Sequence, residues 1–546
     1  MYQLTNLIES LKNCLKSFDI YEEIDLRICN EDRYQFQINN LVKYTKEPAI
    51  EKIISSFAEI IEKEKIIEEF QINEKRFINL KIDLQIFSYT YKNIREVIKT
   101  KKTKNIIIDY GGPNIGKPLH VGHLRSLNIG RSLYQINTLA GNNVISDIHM
   151  GDWGMPIAQI ICYTNSKKIN LNDLSVDALE EIYPVSSALY TEDDNFKTLA
   201  QEINKKLNTN DKDLVEKWKS LKNISIDSLN QILGKMNHNF DLMLGESDVN
   251  YLIPEMIQGL VDKNKIIEDD GAYIANINVD PKILVTKSDG SYLYLTTDLA
   301  TVIHRSKKYE FDSVIYVVDK RQSLHFKQLF ECVRYFELSD ADFKHVSFGT
   351  VNDSDGNPLK TRDGGTKKLE ALFNETYEHI KKINKNIDQE TINKLSNTVL
   401  TFSDLITNRK TDYKFDLEKF SNINGKTGIY VQYAQVRAKK LLSKSMLDQK
   451  QKINPKELDK KDIRLLNSLM KFEIYFKQAI NNNEPHFLAD YLYEISNEYN
   501  SIYQDEKILQ NKSNVKMINK IIITKYFVEY SLLLMESLGI FPVDEM

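Results

Sequence analysis

The chain has 546 residues, with 73 Lys+Arg against 77 Asp+Glu for a formal net charge of −4. That balance excludes a protein that coats nucleic acid indiscriminately and leaves room for a local basic face. Apolar residues are 42% and charged residues 27%, which excludes global disorder. At ~100–200 residues per domain, the length predicts three or four domains. No run of ~18 apolar residues occurs, so no membrane partner is expected. The most apolar stretch, Ile521 to Phe541, is interrupted by Lys525, Glu529 and Glu536. Cys14, Cys29, Cys162 and Cys332 lie far apart with no CxxC pair, so neither a disulfide framework nor a cysteine zinc site is expected. The first twenty residues carry Glu9, Lys12, Lys16 and Asp19, which fits neither a secretory nor a transit segment and leaves a cytoplasmic location as the simple expectation.

Residues 1–100 alternate charged amphipathic stretches with short β-like runs and predict an α+β appendage; Ser55 to Phe70 reads as a helix through Phe57, Ile60, Ile61 and Ile66. A lysine-rich joint, 99–104, closes it. Residues 105–109 then form a compact buried-type strand, followed by a Gly/Pro loop at 111–118 and a helix from near Leu119 to Leu139, stopped by Gly141. A second strand at 143–147 runs into the loop Gly151-Asp-Trp-Gly154. This succession is a right-handed βαβ unit, and ligands of such sheets bind beyond the carboxyl ends of the strands. Eight of the 20 glycines fall between Gly111 and Gly154, where the backbone must turn sharply or approach a ligand closely. Residues of about 165–275 read as a polar, helical insertion. Strand-like runs return at 283–286, 292–295 and 314–318. From about 368 glycines nearly vanish and helical patterns run to the end, which predicts an all-α terminal domain.

His120-Val-Gly-His123 falls at the start of the helix after the first strand. Free N–H groups and the positive end of the dipole suit that place to phosphate. Gly122 leaves room for a base or sugar, and the pair can stabilise charge on an α-phosphate as pyrophosphate leaves. An HxxH alone also fits two satisfied surface histidines, but not a zincin, whose ligands stand four apart around a Glu. Lys360 and Arg362, in a Gly-flanked loop, form the second cationic candidate. A mobile loop of this kind closes on a triphosphate, although a KTR tripeptide alone also fits a solvated turn.

Together these residues amount to a resemblance. His120-Val-Gly-His123 resembles the HIGH signature of class I aminoacyl-tRNA synthetases, and Leu359-Lys-Thr-Arg-Asp-Gly364 resembles a degenerate KMSKS loop. The stretch from Asp109 through His-Leu-Arg-Ser126, the GDWG at 151–154, and Phe348-Gly-Thr-Val351 through Thr366 are similar to arginyl-tRNA synthetases in particular. So is Tyr430-Val-Gln-Tyr-Ala434 with Arg437. The resemblance implies a multidomain α/β protein: a Rossmann-type parallel-sheet catalytic domain over 101–367, an N-terminal α+β appendage over 1–100 and a C-terminal all-α anticodon-binding domain over 368–546. It implies ATP as substrate with Mg2+, no protein-bound structural metal, L-arginine and tRNA(Arg) as partners, a monomer, and a first step that needs tRNA.

By the same resemblance His120, His123, Lys117, Lys360 and Arg362 are catalytic, and Gly122, His120, His123 and Lys360 bind ATP. Asp109, Asn114, Tyr294, Asp298 and Gln322 hold arginine, and Tyr430, Gln432, Tyr433 and Arg437 meet tRNA. A planar guanidinium fork suits paired carboxylates, whereas a lysine ammonium does not match both. The second lysine of the loop signature is absent, with Asp363 in its place, and Lys117 is expected to substitute for it. Tyr34-Gln-Phe-Gln37 only loosely resembles the family's D-loop contact. An inactive, synthetase-like tRNA-binding protein is the alternative. A dinucleotide oxidoreductase is disfavoured by the missing GxGxxG.

Overall fold

The computed structural model describes residues 4–29, 33–44, 48–83, 94–100, 102–288, 290–353, 355–357, 359, 367–384, 386–445, 451–505, 508–510 and 513–546. The first unit holds α1 (Leu4–Lys16), β1 (Leu26–Ile28), β2 (Phe36–Ile38), α2 (Ile50–Lys63), β3 (Ile67–Ile72) and β4 (Ile78–Ile82). Its strands pair antiparallel in the order β1–β2–β4–β3. The helix expected to reach Phe70 ends at Lys63. Glu64 leaves helical geometry, and residues 67–72 are recruited as a strand by pairing with β4. Tyr34 and Gln35 are buried; Gln35 accepts the Ile82 N–H at 2.7 Å and donates to Asn467 at 3.1 Å. Gln35 thereby braces the appendage against the C-terminal helices, while the Tyr34 hydroxyl donates to Glu69 within the appendage at 3.2 Å.

The central unit is built on β5 (Asn105–Tyr110), α3 (Gly122–Leu139) and β6 (Asn143–Asp147), followed by helices α4 (Met155–Lys167), α5 (Val176–Glu192), α6 (Asp194–Asn208), α7 (Lys212–Lys235) and α8 (Ile253–Asp262). A hairpin, β7 (Ile266–Asp269) and β8 (Ala272–Ala275), precedes α9 (Tyr294–Lys308), β9 (Ser313–Val317), α10 (Ser323–Tyr335) and β10 (Asp342–His345). The sheet runs β10–β9–β5–β6 with every pair parallel. Alternation along β5 sends Ile106, Ile108 and Tyr110 into one core and Ile107 into another. Asp109 shares the Ile107 side, and this places its carboxylate under α9. On the other face Gly130 lets α3 close on the sheet, since a Cβ there would lie 2.2 Å from Cγ of Tyr110.

Two expected strands are absent. Residues 283–286 and 292–295 make only isolated bridges, Ile274 with Leu284 and Thr286 with Tyr292. The Thr296 hydroxyl then accepts the Leu293 N–H at 3.0 Å, and α9 begins at Tyr294. The insertion is helical as expected as far as Asp262, after which 266–275 pair as the β7–β8 hairpin instead. Ile157, Ile160 and Ile161 of α4 meet Leu179 and Ile182 of α5, Leu207 of α6 and Leu214 and Leu221 of α7 in a core of their own.

The C-terminal region is helical: α11 (Leu369–Ile383), α12 (Gln389–Leu405), α13 (Gly428–Ser443), α14 (Lys460–Met470), α15 (Phe472–Asn482), α16 (His486–Asp505) and α17 (Asn514–Leu538). Its core is continuous with the α3 face of the sheet. A buried ion pair crosses that seam, Arg125 Nε to Asp404 Oδ1 at 2.8 Å, and Arg125 Nη1 adds the Thr411 carbonyl at 2.7 Å. Among the described residues no helix is long and apolar enough to cross a membrane.

Candidate active site

The site lies beyond the carboxyl ends of β5, β6 and β9. Three loops are zipped together there. Asn114 bridges Gly151 in parallel, Ile115 N–H donates to the Gly151 carbonyl at 3.1 Å, and Gly151 N–H donates to the Pro113 carbonyl at 2.9 Å. His120 bridges Lys368, Val121 N–H donates to the Lys367 carbonyl at 3.0 Å, and Leu369 N–H donates to the Leu119 carbonyl at 2.8 Å. The stem that follows the Lys360 and Arg362 loop is thereby stitched to the histidine motif; both of those residues lie outside the described ones.

His120 sits just before α3, whose first residue is Gly122, so the helix starts three residues later than its apolar pattern suggests. The two imidazoles face each other with centroids 4.0 Å apart. His123 Nδ1 accepts the His120 N–H at 3.0 Å, and His120 Nδ1 accepts the Gly122 N–H at 3.0 Å. A backbone N–H only donates, so the His120 Nδ1 is bare and its Nε2 carries the proton; the His123 Nδ1 also lies 3.2 Å from the His120 carbonyl, and its acceptance of the His120 N–H fits the same tautomer. Burial, then the charge of the facing His120, pushes His123 down to about 3. Burial lowers His120 as well, aided by Lys117 and Arg321. The motif is therefore a pair of neutral Nε2–H donors, suited to hydrogen-bond an anionic oxygen without giving up a proton. Gly122 is needed first for its own neighbour, since a Cβ there would meet His120 Cε1 at 2.7 Å.

The opposite side of the site is acidic. Tyr294, at the start of α9, is 68% exposed, and one turn on, Asp298 Oδ2 accepts from His325 Nε2 at 2.6 Å. Glu246 faces both. Burial raises its carboxyl to about 8; Asp298 and Asp152 add to the rise, while His149 and the Trp153 N–H oppose it. Its position is fixed through the GDWG loop: buried Asp152 accepts the Ser247 N–H at 2.8 Å and the Ser247 hydroxyl at 2.6 Å, and pairs with Lys222 at 2.6 Å. Glu246 and Asp298 raise each other's cost of ionisation, and a bound cation would relieve it. Gln322 lies exposed in the turn after β9.

Residues 86–417 match the family model described as tRNA synthetases class I (R), catalytic domain, and 431–546 match the DALR anticodon binding domain. The chain belongs to the class I arginyl-tRNA synthetases. Curated relatives include the arginine–tRNA ligase of Francisella tularensis, 35% identical over 511 residues with 87% of each chain covered. That of Agathobacter rectalis is 32% identical over 567 residues with 94% of each covered. The fold matches the arginyl-tRNA synthetase of Plasmodium falciparum (TM-score 0.81, 24% identity, 99% of this chain and 98% of that one). It also matches that of Thermus thermophilus (TM-score 0.80, 18% identity, 99% and 100%).

Within this synthetase two expected contacts are corrected. Asp109 is not a free carboxylate of the pocket. It is buried and its Oδ2 lies 2.5 Å from Arg305 Nη2, which also reaches Asp147 at 2.6 Å. Asp109, Asp147 and His149 bring ligand atoms within 4.8 Å of one another, but the Arg305 guanidinium already supplies the cation there. Gln432 is fully buried. It donates to Thr398 at 2.9 Å and to the Phe541 carbonyl at 2.8 Å, so its side chain is spent on bracing the C-terminal segment. Tyr430 and Tyr433 keep partial exposure. The Tyr430 hydroxyl donates to Asn497 Oδ1 at 3.1 Å, and the Arg437 guanidinium stacks 3.8 Å over Tyr433.

Glu246 and His325 escape the sequence reading. Glu246 sits inside a stretch read as a polar insertion, where one more Glu carries no signal. His325 follows Gln322 by three residues, and its pairing with Asp298 depends on how α9 and α10 pack.

Proposed function

We propose that the chain is an arginine–tRNA ligase. L-arginine and ATP, the latter as its magnesium complex, give arginyl-adenylate and pyrophosphate, and the arginyl group then passes to the 2′-hydroxyl of the terminal adenosine of tRNA(Arg). The observation that carries this reading is the convergence of Glu246, Asp298 and Tyr294 across the cleft from the two Nε2–H donors of His120 and His123. A guanidinium offers five donors in a planar fork, which two carboxylates accept and a tyrosine face flanks. Neutral side chains of similar shape leave the carboxylates unpaired, and that discriminates strongly against them.

With the guanidinium held there, the substrate carboxylate points back toward Asn114 and the histidine motif. One carboxylate oxygen attacks the α-phosphorus, the bond to the bridging oxygen of pyrophosphate breaks, and charge gathers on the phosphate oxygens. The His120 and His123 Nε2–H groups and the Lys117 ammonium are the donors placed to receive it. Lys360 and Arg362 act from the loop whose stem is paired to the motif. The magnesium ion supplies charge neutralisation on the phosphates and arrives with the nucleotide. Tyr430, Tyr433 and Arg437, on α13, serve the tRNA. The inactive alternative has nothing in its favour: histidine pair and acidic pocket are both in place.

The test is pyrophosphate exchange into ATP with each of the twenty amino acids, with and without total tRNA. Exchange with arginine alone, in the presence of tRNA, is the expected result. Exchange with a different amino acid overturns the pocket assignment, and no exchange by folded, tRNA-binding protein revives the inactive reading.

A further inference from the structure

The helical insertion reaches the phosphate side of the site through one face of α5. Asp177, Glu180 and Tyr183 follow one another at three-residue spacing and so form a stripe. The Lys117 ammonium lies 3.7 Å from the centroid of the Tyr183 ring, well inside cation–π range. Lys368, the residue bridged to His120, pairs with Asp177 at 2.7 Å and Glu180 at 2.6 Å. The same helix face thus contacts the lysine before the histidine motif and the lysine that closes the phosphate-loop stem. Tyr183 is itself held. Its ring packs against the apolar cluster that contains Ile115, two residues before Lys117, together with Ile160 and Ile182. It also lies within electrostatic reach of Tyr294, on the amino-acid side of the cleft.

Lys117 needs such a partner. Its backbone is held, with the Gly116 N–H on Ser225 at 2.9 Å, but its side chain is exposed and its flexible four-carbon stem carries about 2 kcal/mol of rotamer entropy. We propose that Tyr183 is a positioning residue for Lys117, its ring face fixing the ammonium at the phosphate side of the site, with the Lys368 ion pairs fixing α5 in turn. The inference rests on the reading that Lys117 grips the triphosphate. Tyr183 contributes no atom to the reaction; it removes freedom that ATP binding otherwise has to remove. The loss of its ring therefore falls on ATP and spares arginine.

Arginine-dependent pyrophosphate exchange in the presence of tRNA tests this on the full chain with Tyr183→Leu, Tyr183→Phe, Lys117→Met and the Lys117→Met/Tyr183→Leu double variant. Tyr183→Leu is expected to raise the KM for ATP about three- to tenfold, with the KM for arginine and the melting temperature unchanged. Tyr183→Phe, which keeps the ring face, restores the wild-type KM. In the Lys117→Met background Tyr183→Leu adds nothing, because the group it positions is gone. A wild-type ATP KM for Tyr183→Leu, or the same fold loss with and without Lys117, overturns the proposal. An unaffected Lys117→Met overturns the underlying role of Lys117 and the proposal with it, whereas an impaired Lys117→Met beside a normal Tyr183→Leu overturns the positioning alone.

Discussion

Arg305 Nη2 lies 2.5 Å from Asp109 Oδ2, and both side chains are buried beneath the pocket. With Asp147 at 2.6 Å, one guanidinium neutralises the ends of two neighbouring strands and ties them to α9, the helix that carries Tyr294 and Asp298. Burial raises the Asp109 carboxyl above its ordinary range, Arg305 opposes that, and Asp147 adds to it. Removing the cation leaves two buried carboxylates uncompensated. Arg305→Met is therefore expected to lose about 3–5 kcal/mol of stability, read from urea unfolding. Asp298→Asn, by contrast, is expected to melt normally and to raise the KM for arginine about a hundredfold or more, while Asp109→Asn moves that KM far less. Equal KM effects from Asp109→Asn and Asp298→Asn return Asp109 to the substrate.

Glu246 gives arginine binding a pH dependence. Its carboxyl sits at about 8 in the free protein, faced by Asp298, Asp152, His149 and the Trp153 N–H. The neutral form cannot pair with a guanidinium, so binding below that value releases a proton. The KM for arginine should fall as pH rises toward 8, by up to about tenfold per unit, and level off above it. For stability the sign is opposite: the native state holds a proton that the unfolded chain releases above its ordinary carboxylate value, so stability declines as pH rises from there to about 8. Glu246→Gln is expected to flatten the KM profile and raise the KM throughout. A wild-type profile in that variant removes Glu246 from the pocket.

The histidines behave differently, because both are held neutral. His123→Gln and His120→Gln are each expected to cut adenylate formation about 10²–10³-fold with little change in the KM for arginine, the cost of losing one donor to transition-state charge. The acid limb of kcat should show no titration near 6.5, since His123 stays neutral down to about 3. The unfolded chain does take up that proton, so the contribution of His123 to stability is intact above 6.5 and shrinks as pH falls toward about 3. A kcat limb centred near 6.5 that disappears in His123→Gln contradicts the neutral-donor role.

What the sequence disclosed and what it hid divide along local and non-local lines. The βαβ unit rests on short spacings, and its strands lie where those spacings put them, while His120 falls just before α3 and Tyr294 opens α9 where a strand was expected. Asp109 was legible as the end of a strand, but its partner Arg305 is 196 residues away and nothing local announces it. The runs at 283–286 and 292–295 carry strand-forming residues, and the Thr296 cap and isolated bridges decide against strands there. Gln432 illustrates the reverse error. A polar residue between two tyrosines on a helix reads as surface until α13 is packed against Thr398 and Phe541.

That packing separates two neighbours on α13. Gln432 donates to Thr398 and Phe541 and accepts the Val543 N–H at 3.2 Å, so it pins the end of the chain to α12 and α13. Gln432→Leu leaves buried partners unsatisfied and is expected to cost about 1–3 kcal/mol, with no change in the KM for tRNA at temperatures where the variant is folded. Arg437 is partly exposed, with its guanidinium over the rings of Tyr433 and Tyr503. Arg437→Glu reverses the sign of a phosphate contact, so its effect belongs in the KM for tRNA and shrinks as salt is raised. Aminoacylation measured across a salt series separates the two. A salt-sensitive tRNA defect in Gln432→Leu would place that residue back at the RNA surface, and a salt-independent response in Arg437→Glu would move the tRNA contact to another face of the helix.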